Sequence, residues 1–270
     1  MPALPADARI GEVSLTVSNL DRSLGFYTEV LGFEVVARAD TDASLGAGGP
    51  SPLVKLRARE GAVPRPRRAS GLYHFAILVP DRAALGRSLR RLAARRWPLT
   101  GASDHLVSEA LYLDDPDGLG IEIYRDRPRE TWTHEGGEVL MATDPLDVND
   151  VAAEPGADLP WTGLDVGTVI GHVHLHVPDL ARAGQFYCDG LGFTPTLRRY
   201  PGALFVAAGG YHHHLGLNVW AGLGAPPPPA NAVGLRRFTI EASGLSPRDE
   251  LDEATGVTVT CRASSAAADE

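Results

Sequence analysis

A net positive charge, a set of cysteines and long apolar runs are what this sequence lacks, and each absence removes a class of function. The 270-residue chain carries a formal net charge of −9, which argues against a general binder of nucleic acid or anionic membrane. A local basic stretch, Arg57, Arg59, Arg65, Arg67 and Arg68, reads as a solvated loop. Two cysteines, Cys188 and Cys261, make neither a disulfide framework nor a zinc pattern. No stretch reaches the ~18 apolar residues of a membrane span, and the opening MPALPADARI has no basic segment followed by an apolar run. The expectation is a cytoplasmic protein. With 44% apolar residues the composition is that of an ordinary globular chain, long enough for two domains.

What is there is a repeat. Residues 10–33, IGEVSLTVSNLDRSLGFYTEVLGF, return at 170–193 as IGHVHLHVPDLARAGQFYCDGLGF, with 12 of 24 positions identical. An offset of 160 residues is too long for a solenoid period, so duplication of a whole domain is the natural explanation. The unit opens with a strand over 10–17 in which apolar and polar residues alternate. A helix follows, capped near Asn19 or Asp21 and ended by Gly32. Strands are expected over 33–39 and 52–59.

A second unit starts at Leu72, with a strand to Val79 and a helix opened by Asp81 and stopped by Pro98. It ends in SDHLVSEALYLDDPDGLGIEIY, residues 103–124. Here two strands flank Asp114-Asp115-Pro116-Asp117-Gly118, whose Pro and Gly suit a reversal. Alternation puts Gly120, Glu122 and Tyr124 on one face and Leu119, Ile121 and Ile123 on the other.

The expected organisation is α+β: two tandem domains of paired βαβββ modules. The first spans 8–126 (modules 10–60 and 71–126), 127–166 is a linker, 167–252 is a degenerate second domain, and 253–270 is a mobile tail. The fourth module, begun near Leu235, is expected to be incomplete, because the tail shows no counterpart of the DDPDGLGIE hairpin.

These residues resemble the vicinal oxygen chelate (glyoxalase/bleomycin resistance/extradiol dioxygenase) superfamily, most closely its two-domain catechol 2,3-dioxygenase branch. FY and LGF recur in both halves, VPD recurs at Val79–Asp81 and Val177–Asp179, and His105, Leu111-Tyr112, Asp115-Pro116, Gly118 and Glu122 stand in the order of the family's signature. The resemblance implies the vicinal oxygen chelate fold and a metal-dependent extradiol dioxygenase acting on a catechol-like aromatic and O₂. It implies metal ligands at Glu12, His74 and Glu122, with His105 and Tyr112 as catalytic groups beside the metal. Fe(II) is the metal expected of the branch, with Mn(II) or another divalent ion as the alternative.

The branch normally offers two His and one carboxylate, and here Glu12 stands where the first His is expected. Two carboxylates harden a site towards Mn²⁺, Mg²⁺, Ni²⁺ or Co²⁺. Alternatively, Lys55 pairs with Glu12. A glyoxalase-type isomerase or transferase and a non-catalytic small-molecule binder remain as other readings, and a homo-oligomer is compatible with all of them. His172, His174 and His176 on one strand face, with His212 and His214 on another, form a rival cluster. Its expected role is a His-rich cleft surface or a domain contact, since Arg237 occupies the position that matches His74.

Overall fold

The computed structural model describes residues 2–49 and 51–264. The chain passes through four modules, each begun by a strand. The first holds β1 (Arg9–Val17), α1 (Leu20–Gly25) continuing as a π-helical turn over Phe26–Val30, β2 (Glu34–Arg38), β3 (Asp42–Gly46) and β4 (Val54–Ala58). The second holds β5 (Gly71–Leu78), α2 (Arg82–Ala94), β6 (Gly101–Asp104), β7 (Ser108–Asp114) and β8 (Gly120–Asp126). A connection with β9 (His134–Glu135), β10 (Glu138–Val139), β11 (Asp144–Pro145) and α3 (Val148–Ala152) leads on. The third module repeats the first, with β12 (Val169–His176), α4 (Leu180–Gly184), a π-helical turn over Gln185–Gly190, β13 (Thr194–Leu197), β14 (Ala203–Ala207) and β15 (Leu215–Asn218). The fourth holds β16 (Gly234–Ala242), β17 (Arg248–Asp252) and β18 (Val257–Ala263).

The helices start where the sequence offers a cap. The side chains of Asn19, Asp81 and Asp179 accept the N–H of Arg22 at 2.9 Å, Ala84 at 2.7 Å and Arg182 at 2.7 Å. Each satisfies a donor that the first helical turn would leave unpaired. The apolar strand and helix faces, including Leu15, Tyr27, Phe75, Leu85, Ile121 and Val173, join one buried cluster.

The modules pair differently from the sequence expectation. β1 runs antiparallel to β16, giving a seven-stranded sheet in the order β17-β18-β16-β1-β4-β3-β2. β5 runs antiparallel to β12, giving a nine-stranded sheet in the order β11-β6-β7-β8-β5-β12-β15-β14-β13. Thus module one shares its sheet with module four, and module two with module three, rather than one with two. The register of the second junction sets His74 opposite His174.

Two further expectations change. The segment 127–166 is not a bare connection: β11 extends the edge of the nine-stranded sheet, and Arg82 on α2 holds Asp150 and Glu154 of the α3 region. The fourth module is short, with no helix among the described residues, yet the hairpin that the tail was expected to lack is present. β18 pairs antiparallel with β17 and parallel with β16, so residues 253–263 complete a sheet. The turn between them lacks the Asp-Pro-x-Gly sequence, but Asp252 does the work of Asp115. Tyr27 Oη donates to Asp115 at 3.2 Å, and Tyr187 Oη donates to Asp252 at 3.0 Å. The rest of the expected tail, 265–270, lies outside the described residues. No described helix is long and apolar enough to cross a membrane.

Candidate active site

The β5–β12 junction carries the chemistry. His74 projects from β5, His172 from β12 and Glu122 from β8, which lies beside β5 in parallel register. Alternation along the three strands turns these side chains to one face, while Phe75, Val173 and Ile121 turn to the core. Glu122 Oε2 lies 3.0 Å from His74 Nε2 and 3.1 Å from His172 Nε2, and one ligand atom from each residue lies within 4.8 Å of the others. All three are buried.

The donor set fits a divalent cation. Two ligands bound at ~2.1 Å and at right angles around one ion stand ~3.0 Å apart, which matches both separations from Glu122. His74 Nε2 is buried and, although 3.0 Å from Glu122, makes no hydrogen bond. A buried polar atom in that condition is costly unless something else meets its lone pair. Burial works to raise the Glu122 carboxyl, but the neighbouring His172 and His74 imidazoles outweigh it and hold Glu122 well below the usual carboxylate range. Burial pushes His74 down, so its imidazole is neutral and its lone pair free to bind a metal.

Glu12 is not part of this group. It stands on β1 in the other sheet, where burial raises its pKa and Lys55, Arg262 and Arg237 act against that rise. The position that Glu12 holds in the first repeat is held by His172 in the second, and the module pairing brings His172 to His74. In the other sheet Arg237 stands at the position matching His74 and donates to Asp249 at 3.1 Å and to Thr260 at 2.7 Å.

A cavity of about 510 Å³ opens on the His74–Glu122–His172 cluster. His105 and Tyr112, both expected near the metal, line it. His105 Nδ1 donates to the carbonyl of Ala142 at 2.6 Å, which leaves Nε2 to accept the Tyr112 hydroxyl at 2.6 Å. Burial, and then the Glu122 charge, raise Tyr112 well above its ordinary value, so it is a neutral phenol. Aromatic rings of Tyr73, Tyr200, Phe205 and Trp220 form part of its apolar walls.

His213, which the sequence places in the His212–His214 cluster without a role, also lines the cavity, its ring 4.2 Å from that of His172. Read as strand, residues 212–214 group His212 with His214. In the structure all three residues precede β15, so strand alternation does not apply to them. His174 presses against Gly216, where a Cβ would stand 2.7 Å from its ring. Asn218 fixes its other side, donating to His174 Nε2 at 2.9 Å while its oxygen accepts from His176 Nδ1 at 2.7 Å and from the Trp220 N–H at 3.0 Å. Burial pushes His174 and His213 well below their ordinary values and His214 down to about 3.

The family model described as "Glyoxalase/Bleomycin resistance protein/Dioxygenase superfamily" matches residues 9–123 and 169–244. A catechol-2,3-dioxygenase of Bacillus subtilis (strain 168) is 49% identical over 256 residues, covering 93% of this chain and 88% of that protein. Among solved structures, glyoxalase I from Zea mays superposes with a TM-score of 0.56 at 17% identity, over 94% of this chain and 92% of that one. The cppA protein from Streptococcus pneumoniae TIGR4 does so with a TM-score of 0.54 at 11% identity, over 95% and 99%. These two share the fold alone. A family model that spans both halves, and a relative matched along nearly the whole chain, place this protein in the glyoxalase/bleomycin resistance/dioxygenase superfamily.

Proposed function

We propose that the protein is a divalent-metal-dependent extradiol dioxygenase that opens a catechol-type ring beside its vicinal hydroxyls, with Fe(II) as its working metal. The observation that carries this reading is the set of two imidazoles and one carboxylate, His74, His172 and Glu122, opening on a cavity with aromatic walls. Such a set leaves positions free for a chelating substrate and for O₂. The support from relatedness is the catechol-2,3-dioxygenase at 49% identity.

His74, His172 and Glu122 would hold the ion. Iron, when bound, supplies the one-electron chemistry that lets ground-state O₂ react with a closed-shell catechol. The chain's own part is to seat the ring and to handle protons. Tyr73, Phe205 and Trp220 offer apolar surface to a flat substrate. The Tyr112 oxygen accepts a hydrogen bond from a catechol hydroxyl, while its own proton already points at His105 Nε2. His213, neutral through burial, takes a proton from the substrate as a base.

A glyoxalase-type isomerase would need a carboxylate left over to act as base. The one buried carboxylate among the described lining residues, Glu122, would be taken up as a ligand.

The test is turnover of catechol by Fe(II)-reconstituted protein under ¹⁸O₂. One O₂ consumed per catechol, with both atoms in a ring-opened product, is the expected result. Metal-loaded protein that binds catechol without taking up oxygen would refute the reading.

A further inference from the structure

We propose that Asp126 and His212 are positioning residues that set the tautomer of His213, so that His213 Nε2 faces the cavity as a proton acceptor. The link to ring cleavage rests on the function proposed above, but the tautomer is a property of the resting chain and is measured without turnover.

The argument is one of donors and acceptors. Asp126, the last residue of β8, places Oδ1 2.9 Å from His212 Nε2. An ionised carboxylate has no proton to give, so His212 Nε2 donates. An imidazole that carries its one proton on Nε2 has its other nitrogen, Nδ1, as a lone pair. That of His212 lies 2.7 Å from His213 Nδ1, so the proton between the two rings sits on His213. With His213 Nδ1 donating to His212, its remaining nitrogen, Nε2, is left as a lone pair on a ring that lines the cavity.

The surroundings hold this order in place. Tyr211 Oη also donates to Asp126 Oδ1, at 3.2 Å, and Tyr124 Oη lies 2.7 Å from Tyr211 Oη. The His212 ring packs 4.1 Å from Tyr211 and 5.2 Å from Trp132, and His213 packs 5.0 Å from Phe205. The logic is that of the Asp-His pair in serine proteases, where exchanging the carboxylate for an amide keeps the geometry but leaves the wrong tautomer. Here one more imidazole stands between the carboxylate and the working nitrogen. The relay crosses the β5–β12 junction: Asp126 comes from module two, His212 and His213 from module three. Neither half holds it alone.

The test is ¹⁵N NMR of histidine-labelled protein loaded with diamagnetic Zn(II), together with steady-state kinetics of the Fe(II) form. The expected wild-type result is His213 protonated at Nδ1. In Asp126→Asn the amide donates to His212 Nε2, the His212 proton moves to Nδ1, and His213 changes to the Nε2–H form. kcat on catechol should then fall ~100-fold or more, with KM little changed. Asp126→Glu keeps the acceptor, and the Asp126 side chain is 26% exposed, which leaves room for one more methylene; it should restore the wild-type tautomer and most of kcat. An Nε2–H form of His213 in the wild type would overturn the proposal, and this measurement needs no variant to fold. So would an unchanged tautomer in folded Asp126→Asn. The predicted tautomers in a protein that consumes no oxygen would leave the relay standing and refute the ring-cleavage reading.

Discussion

At the residue scale, burial of neutral imidazoles is the dominant electrostatic feature. His174, His213 and His214 all have folded-state pKa values pushed below their ordinary value by burial, His214 to about 3. Between that value and ~6.5 the unfolded chain binds protons that the native chain refuses, so stability rises with pH. It is fully present above the unfolded value and is lost as pH falls through the window, by about 1.4 kcal/mol per pH unit for each such proton. Urea unfolding of metal-free protein at pH 7.5 and pH 5 should therefore show a clear loss at the lower pH, and the loss should shrink in His214→Phe. Equal midpoints at both pH values would mean that the histidines are not buried as described.

The residues also show where the sequence was readable. Glu122, His105 and Tyr112 stood out through a fixed spacing around one hairpin, and spacing within a hairpin survives folding unchanged. His172 was visible as a strand histidine but not as the partner of His74, because that link depends on which strands pair.

At the scale of elements, the two Tyr–Asp contacts under the turns explain how a recognisable and an unrecognisable hairpin take the same place. Asp115 accepts the N–H groups of Asp117 at 2.8 Å and Leu119 at 2.9 Å on one oxygen, and Tyr27 on the other. Gly118, with φ of 77°, supplies the left-handed residue that the reversal needs. Asp252 similarly accepts the N–H of Ala254 at 3.0 Å and the Tyr187 hydroxyl. The DDPDG motif was legible because Pro and Gly mark turns. DEATG closes its turn with Asp and Gly but no Pro, so its hairpin is not legible in the sequence. Tyr27→Phe and Tyr187→Phe should each cost ~1–2 kcal/mol, the range for losing a buried hydrogen bond. The check is denaturant midpoints together with faster amide exchange at Leu119 and Ala254. No loss in either variant would mean that the turns hold without these contacts.

At the scale of the whole molecule, the four modules and their α+β character followed from the repeat and the alternating patterns, but their pairing did not. Each module offers a first strand of the same period, and nothing in that period says whether β5 should seek β1 or β12. The expectation pairs the first module with the second and the third with the fourth; the structure joins the second and third in one sheet and the first and fourth in the other. A fragment of residues 1–126 thus holds His74 and Glu122 but lacks His172 and the strand that covers β5. Expressed alone it should bind metal weakly and aggregate, while co-expression with 127–270 should recover both solubility and metal. Tight stoichiometric metal in the isolated fragment would contradict the pairing.

The central claim, that the metal site is built across that junction from His74, Glu122 and His172 and without Glu12, is tested most directly by metal content. Wild-type, Glu12→Ala and His172→Ala proteins, reconstituted anaerobically with Fe(II) and desalted, are measured for iron per chain. The account predicts one iron per chain in the wild type and in Glu12→Ala. It predicts a loss in His172→Ala beyond the ~10–100-fold weakening that follows removal of a group that only orients a ligand. Iron retained by His172→Ala and lost by Glu12→Ala would contradict it.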